Sequence, residues 1–205
     1  MKKFLIVIMA VACAAAFMPQ NASAGVGIKG GLNFANMSVK PVSEGMPDFE
    51  NLTGLTGGLY FSLNIGFIGI EPEILYSRRG LQWEEGTTNI KYELDYVEVP
   101  VLVKLNILPA GPVRPYVFGG PSYGYLLKAT GKLTAAEGNE SQDIKDMFKK
   151  SEWAAVFGAG IELKAIVRLS VDARYHLGIS NIEASTEGTE TVKNKGFSVM
   201  VGIGF

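Results

Sequence analysis

Eight segments of this chain alternate apolar and polar residues with a period of two, which is the pattern of a β-strand with one oily face and one polar face. The clearest example is the segment 167–179, where Leu169, Val171 and Ala173 alternate with Ser170 and Asp172. The pattern therefore predicts an all-β chain. The other segments lie near residues 26–34, 55–65, 68–79, 96–105, 115–128, 155–164 and 197–205.

One of these segments, 115–128, has apolar residues on both parities, so its orientation is open. We expect the odd parity to face outward, because Gly120, Ser122 and Gly124 would then point into a crowded interior. The outward set would be Val117, Tyr123, Tyr125 and Leu127, and the inward set Tyr116, Phe118 and Leu126.

Alternation alone also suits a soluble sandwich or a lipocalin-like barrel with an oily interior. Here the apolar faces carry so many large aliphatic and aromatic side chains that a narrow lumen could not hold them. Beyond the first residues of the chain, no unbroken apolar run reaches the roughly 20 residues of a transmembrane helix. The sequence thus favours strands whose apolar faces meet lipid and whose polar faces line a lumen.

The connections between the predicted strands alternate in length. Short ones lie near 64–67, 106–113 and 164–167, whereas the connections 38–53, 80–90, 128–152 and 180–194 are long and polar. Long outer loops and short periplasmic turns are typical of outer-membrane barrels. We therefore predict an eight-stranded antiparallel transmembrane β-barrel with meander topology and both termini in the periplasm.

The first 24 residues are predicted to be a signal peptide, which places residues 25–205 in the barrel domain. Lys2 and Lys3 precede an apolar stretch, and Ala22-Ser23-Ala24 has the form of a cleavage site. An uncleaved anchor and a lipoprotein modified at Cys13 are the alternatives, but the second would leave the cleavage site unused. Since Cys13 is the one cysteine, the mature chain is expected to lack thiol chemistry.

The inward parity collects charges of both signs, which predicts either a filled, internally paired lumen or a narrow pore or ligand site. Ser170, Asp172 and His176 share one strand face, but residues i and i+2 lie about 6.6 Å apart, so they would form a row rather than a catalytic triad. We expect no catalytic, metal or cofactor site and no enzymatic activity. The predicted lumen charges are Glu71, Glu73, Arg79, Glu98, Lys104, Glu162, Lys164, Arg168, Asp172, Arg174 and His176.

The long connection 128–152 carries Ile144, Met147 and Phe148 at helical spacing, which suits either a short helix on the barrel mouth or a solvated loop. The net charge of −1 gives no basic surface for nucleic acid.

The chain resembles the outer-membrane β-barrel family that includes the PorT-like proteins. The resemblance rests on Gly30-Gly31-Leu32-Asn33, on residues 94–104 (LDYVEVPVLVK) and 114–124 (RPYVFGGPSYG), on Gly158-Ala159-Gly160 and on Phe205. It implies an eight-stranded barrel whose last aromatic residue is read by the barrel-assembly machinery. Some members of the family serve protein secretion or gliding.

The expected function is a structural or surface-interaction role in the bacterial outer membrane. Expected partners are outer-membrane lipid, the barrel-assembly machinery during biogenesis, and a protein or surface that the loops 38–53 and 128–152 contact. The alternative is a narrow, porin-like channel or an accessory component of protein secretion.

Overall fold

The computed structural model describes residues 22–40, 50–85, 88–108, 111–135, 138–184 and 191–205. Most of the predicted signal peptide lies outside these ranges, and residues 22–24 extend the first strand. The strands are β1 (Ala22–Lys40), β2 (Glu50–Ile65), β3 (Ile68–Glu85), β4 (Thr88–Asn106), β5 (Val113–Ala135), β6 (Gly138–Asp143), β7 (Ser151–Lys164), β8 (Arg168–Gly178) and β9 (Thr191–Gly204).

Eight of these strands form a closed antiparallel barrel in the order β1-β2-β3-β4-β5-β7-β8-β9, and the ring closes where β1 pairs with β9. Closure leaves no unpaired strand edge in the ring, as a barrel in lipid requires. The predicted all-β, eight-stranded meander is thus confirmed. The described residues contain no helix long and apolar enough to cross a membrane.

Every predicted strand keeps its predicted parity. The odd residues of β5 face outward, with Val117 and Tyr125 exposed and Tyr116 and Leu126 buried, which settles the ambiguous segment. Outward apolar side chains form a continuous surface that we call the apolar belt. It is formed by the outward-facing residues within the segments 26–34, 55–65, 68–76, 97–105, 113–127, 153–163, 169–179 and 197–205.

The two ends of the barrel differ. At the turn end, which also carries Phe205, the strands are joined by the short connections after Ile65, Asn106 and Lys164. The β2–β3 connection is a two-residue turn, in which Gly66 adopts a φ of 62° that favours glycine. We call the opposite end the loop end.

At the loop end, several strands are longer than the 9–11 residues that a spanning strand needs. β4 has 19 residues and β5 has 23, so both continue well beyond the apolar belt. The prediction of a loop over 80–90 is therefore wrong: all of its described residues belong to β3 or β4. Polar residues on both parities resemble a loop in the sequence. A strand that extends beyond the lipid can also be polar on both faces.

The connection 128–152 is also more ordered than a solvated loop. β5 continues to Ala135 and turns back as β6, which pairs with residues 130–135 along the edge of β5 that pairs with β7 nearer the turn end. A single 3₁₀ turn, Lys145–Met147, follows in place of the suggested helix. Ile144, just before this turn, is buried.

Candidate functional site

The lumen holds a charge-balanced cluster of three cations and three carboxylates, all less than 6% exposed. Alternation along each strand points these six side chains inward, because odd residues of β1 and β3 and even residues of β4 and β8 face the lumen. We call this group the central cluster. It comprises Lys29, Glu71, Glu73, Lys104, Asp172 and Arg174.

Each member of the central cluster is paired with an opposite charge. Lys29 Nζ pairs with Glu71, lies 2.9 Å from Glu73 Oε1 and 3.5 Å from Asp172 Oδ2. Lys104 Nζ lies 3.0 Å from Glu71 Oε2. Arg174 lies 2.7 Å from Glu73 and 2.9 Å from Asp172. Such pairing offsets the large cost of removing charges from water.

Aromatic rings fill the space around these charges. The Lys104 ammonium lies 4.0 Å from the Tyr116 ring centroid, and the Lys29 ammonium lies 4.7 Å from that of Tyr60. The face of an aromatic ring attracts a cation at these distances. The Tyr116 hydroxyl is also 3.4 Å from Asp172 Oδ2.

Two glycines of β7 make room for the rings that β5 sends into the lumen. A Cβ at Gly160 would lie 2.6 Å from the Tyr116 ring, and one at Gly158 would lie 2.6 Å from the Phe118 ring. These side chains and the central cluster together occupy the lumen at the level of the belt. An eight-stranded barrel encloses only enough room for such a filling or for one small ligand.

A second polar group lies nearer the loop end and is built around Arg79. The Arg79 guanidinium lies 2.6 Å from Glu98 Oε1, and its Nη2 donates to His176 Nδ1 at 2.6 Å. Because Nδ1 accepts this bond, the ring proton of neutral His176 is on Nε2, which faces Glu152 Oε1 at 3.6 Å. Asn194 donates to the other Glu152 oxygen at 2.8 Å.

A buried apolar layer lies nearer the loop end than this second group. Eight buried side chains meet there, and two of them, Ile144 and Ile182, come from connections rather than from barrel strands. Backbone hydrogen bonds hold these connections together, including Lys149 N–H to Ile182 O at 2.7 Å. We call this layer the apolar cap. Its members are Met37, Leu81, Leu94, Tyr96, Leu126, Ala129, Ile144 and Ile182.

The predicted lumen charges separate into three places along the barrel axis. Glu71, Glu73, Lys104, Asp172 and Arg174 join the central cluster. Arg79, Glu98 and His176 form the second group. Glu162, Lys164 and Arg168 line a cavity at the turn end.

Sequence reasoning missed Lys29 and Glu152 as lumen charges. Lys29 could have been found from its inward parity in the first strand, whereas Glu152 was assigned to a loop. The serine, aspartate and histidine of β8 do not converge: Asp172 bonds to Arg174, and His176 bonds to Arg79 on β3. These contacts lack the serine–histidine–aspartate chain that a triad needs.

The fold and the lipid-facing belt define a small membrane-spanning β-barrel with a filled lumen. The chain belongs to the outer membrane protein β-barrel domain family, whose model matches residues 18–183. This membership makes it a bacterial outer-membrane protein.

Solved outer-membrane barrels share this fold at low sequence identity. Neisserial surface protein A (NspA) aligns at 14% identity with a TM-score of 0.50, covering 91% of this chain and 100% of NspA. OprG from Pseudomonas aeruginosa aligns at 14% identity with a TM-score of 0.53, covering 90% of this chain and 97% of OprG. At this identity the likeness concerns the fold. A search of curated proteins found no match.

Proposed function

We propose that the protein is a closed outer-membrane barrel with a structural or surface-interaction role, exerted through its loop end and without enzymatic activity. The observation that carries this proposal is the double obstruction of the lumen. The central cluster fills the level of the belt, and the apolar cap covers the loop end above it. A solute would have to displace both layers to pass.

We further propose that the turn end faces the periplasm and that the loop end faces the exterior. Short connections at one end and extended ones at the other support this orientation. It leaves the end of β5 beyond residue 127, β6 and the 3₁₀ turn outside the cell, where partners are met. The barrel-assembly machinery, outer-membrane lipid and a protein or surface at the connections 38–53 and 128–152 are the partners we propose.

The loop end offers a cavity of about 430 Å³ between the ends of β3 and β4, β6 and the 3₁₀ turn. Apolar and aromatic side chains, among them Trp83, Tyr92 and Met147, share its lining with Glu140 and Asp146. A concave site lined by both apolar and charged side chains suits the binding of a partner. It supports the interaction role within the described part of the connection 128–152.

Two measurements test the proposal. Purified protein reconstituted in planar bilayers should pass no steady current, because the side chains of both layers occupy the lumen. A photo-crosslinker placed at exposed Met147 should capture a surface component on intact cells, while one at Ile166, at the turn end, should not. Steady wild-type current, or equal capture from both positions, would contradict the proposal.

A narrow channel is the second candidate, and one observation favours it. Several buried polar atoms lack a hydrogen-bond partner among the described residues, including Ser122 Oγ, Ser170 Oγ and His176 Nε2. Polar atoms of this kind are places where water enters a lumen. A gated channel predicts that the double variant Ile144→Ala, Ile182→Ala conducts where the wild type does not.

An accessory role in secretion rests on the resemblance to PorT-like proteins. Residues 94–104 and 114–124, which carry the resemblance, belong to β4 and β5 and supply inward side chains such as Lys104 and Tyr116. They therefore support a shared barrel interior more directly than a shared partner surface. Loss of secreted proteins from a deletion strain, restored by the wild-type chain, would favour this role.

A further inference from the structure

The cavity at the turn end is a cup of about 500 Å³ that opens away from the central cluster. Its charged side chains are Arg114, Lys164 and Arg168 with the carboxylate of Glu162, and the terminal residue Phe205 lies beside them. Cations thus outnumber carboxylates here, whereas the central cluster is balanced. Ser23 and Ala24 also line the cup, so cleavage after Ala24 would widen its mouth. We call this cavity the turn-end cup.

Within the described part of the chain, two of the three cations of the cup, Arg114 and Lys164, have no carboxylate partner, and Arg168 has only the backbone end of Phe205 as such a partner. Among the described residues, Arg114, Lys164 and Arg168 form no ion pair with any carboxylate side chain, in contrast to Lys29, Lys104 and Arg174 further inside. Arg114 Nε donates only to the carbonyl oxygen of Gly111 at 3.2 Å. The Lys164 side chain is exposed at the rim. Positive charge of this kind in a low-dielectric cleft attracts anions.

Arg168 is held in place as part of the cup wall. Its Nη1 donates to Ser62 Oγ at 3.2 Å, and its Nη2 donates at 2.9 Å to the backbone oxygen of Phe205, which is a carboxylate oxygen at this end of the chain. A guanidinium has five N–H donors, so these two bonds leave others for a ligand. A planar guanidinium fixed in this way is well suited to an oxyanion such as phosphate.

Signal-peptide cleavage would add to this charge. Cleavage after Ala24, as the sequence predicts, would place a new α-ammonium group at Gly25. A Cβ built on Gly25 would overlap the Arg168 guanidinium and lie 2.7 Å from the Phe205 carbonyl oxygen. The mature amino terminus would therefore stand at the wall of the cup. The new ammonium would offset the α-carboxylate of Phe205, which leaves the side-chain cations of the cup in excess over Glu162.

We propose that the turn-end cup is a binding site for a phosphate group, reached only from the turn end. The phosphate can belong to a soluble phosphoester or to the headgroup of an anionic lipid at the rim. Apolar side chains at the same rim, including exposed Phe67 and Ile166, place the mouth close to lipid. Both sources present the same oxyanion to Arg114, Lys164 and Arg168.

The first experiment titrates inorganic phosphate into the mature barrel in neutral detergent at constant ionic strength, with calorimetric detection. We expect saturable binding that Lys164→Gln weakens about tenfold, the usual size for one charge-assisted hydrogen bond. Glu162→Gln should tighten binding, because it removes the one carboxylate that repels the ligand. A gain in affinity cannot arise from misfolding, which keeps the test informative.

Lys195→Gln is the matched control, because Lys195 lies on the outward face of β9 near the loop end. The second experiment compares lipid retained by the same variants from phosphatidylglycerol and phosphatidylcholine nanodiscs, using native mass spectrometry. Variant-sensitive phosphate titration identifies a soluble ligand, and variant-sensitive phosphatidylglycerol retention alone identifies a lipid headgroup. The proposal is overturned if neither responds, if Lys195→Gln matches Lys164→Gln, or if Glu162→Gln weakens binding.

Discussion

Lys29 on β1 and Glu73 on β3 form an ion pair of 2.9 Å inside the barrel, although 44 positions separate them in the chain. β2 lies between β1 and β3 in the barrel wall, so the two side chains meet in the lumen across the width of β2. Lys29 also approaches Glu71 and Asp172, which makes it the common partner of all three carboxylates of the central cluster.

Removing Lys29 should therefore destabilise the barrel strongly. Lys29→Met keeps much of the side-chain volume but leaves three buried carboxylates with only Lys104 and Arg174. The expected loss of unfolding free energy is about 3–5 kcal/mol, as for other broken buried ion pairs. Urea unfolding in lipid vesicles measures it. Lys195→Met is the control, and equal effects of the two variants would mean that the cluster is hydrated and contributes little.

A charged residue on the outward face of β8 should lower the unfolding free energy of the barrel. Val171 is 54% exposed within the apolar belt, so Val171→Arg places a guanidinium in hydrocarbon. The expected cost is about 2–4 kcal/mol near the midplane. Vesicle unfolding of Val171→Arg against Val171→Ala separates charge from lost volume. A harmless Val171→Arg combined with a Ser170→Leu that prevents folding would indicate an inverted barrel with an oily interior.

The ring of Tyr116 should make Gly160 sensitive to a single added methyl group. A Cβ at Gly160 would approach Tyr116 to 2.6 Å and the Val171 carbonyl oxygen to 2.7 Å, whereas one at Gly119, on the outward face of β5, meets nothing closer than 3.6 Å. We expect Gly160→Ala to cost about 1–3 kcal/mol through overpacking and Gly119→Ala to cost much less. Adding Tyr116→Leu should reduce the penalty of Gly160→Ala, which a double-mutant cycle measures. Additive effects would show that the ring is not responsible.

The proposed orientation can be tested with epitope tags on intact cells. A tag after Gly138, at the start of β6, should bind antibody without permeabilisation. A tag after Ala110, in the β4–β5 connection, should bind only after the outer membrane is opened. Heat-modifiable migration in gels confirms that both tagged barrels are folded. Surface labelling of the Ala110 tag alone would reverse the orientation.

Much of the fold could be predicted because alternation is a local signal. The strict pattern around Val171 places Asp172 inward whatever the rest of the chain does. The orientation of β5 required a further argument from the small residues Gly120 and Gly124. In the structure, Gly124 does face the interior, where its Cβ position lies 3.4 Å from the Tyr96 ring.

The partners inside the lumen could not be predicted, because they depend on strand register and on the closure of the ring. Nothing local to Lys29 indicates that it meets Asp172, which lies on the opposite side of β9. Glu152 was missed for a different reason. The polar residues that precede it made its surroundings resemble a loop, so its inward parity at the start of β7 was not used.

The central cluster also limits how the strands can be aligned during assembly. A slip of one residue in β8 would turn Asp172 and Arg174 toward lipid, and a slip of two residues would move them about 6.6 Å along the barrel. Either error would separate them from Glu73 and Lys29 and leave charges buried without partners. The cluster thus selects the native register. Only the native alignment of β1, β3, β4 and β8 pairs all of the buried charges when the barrel closes.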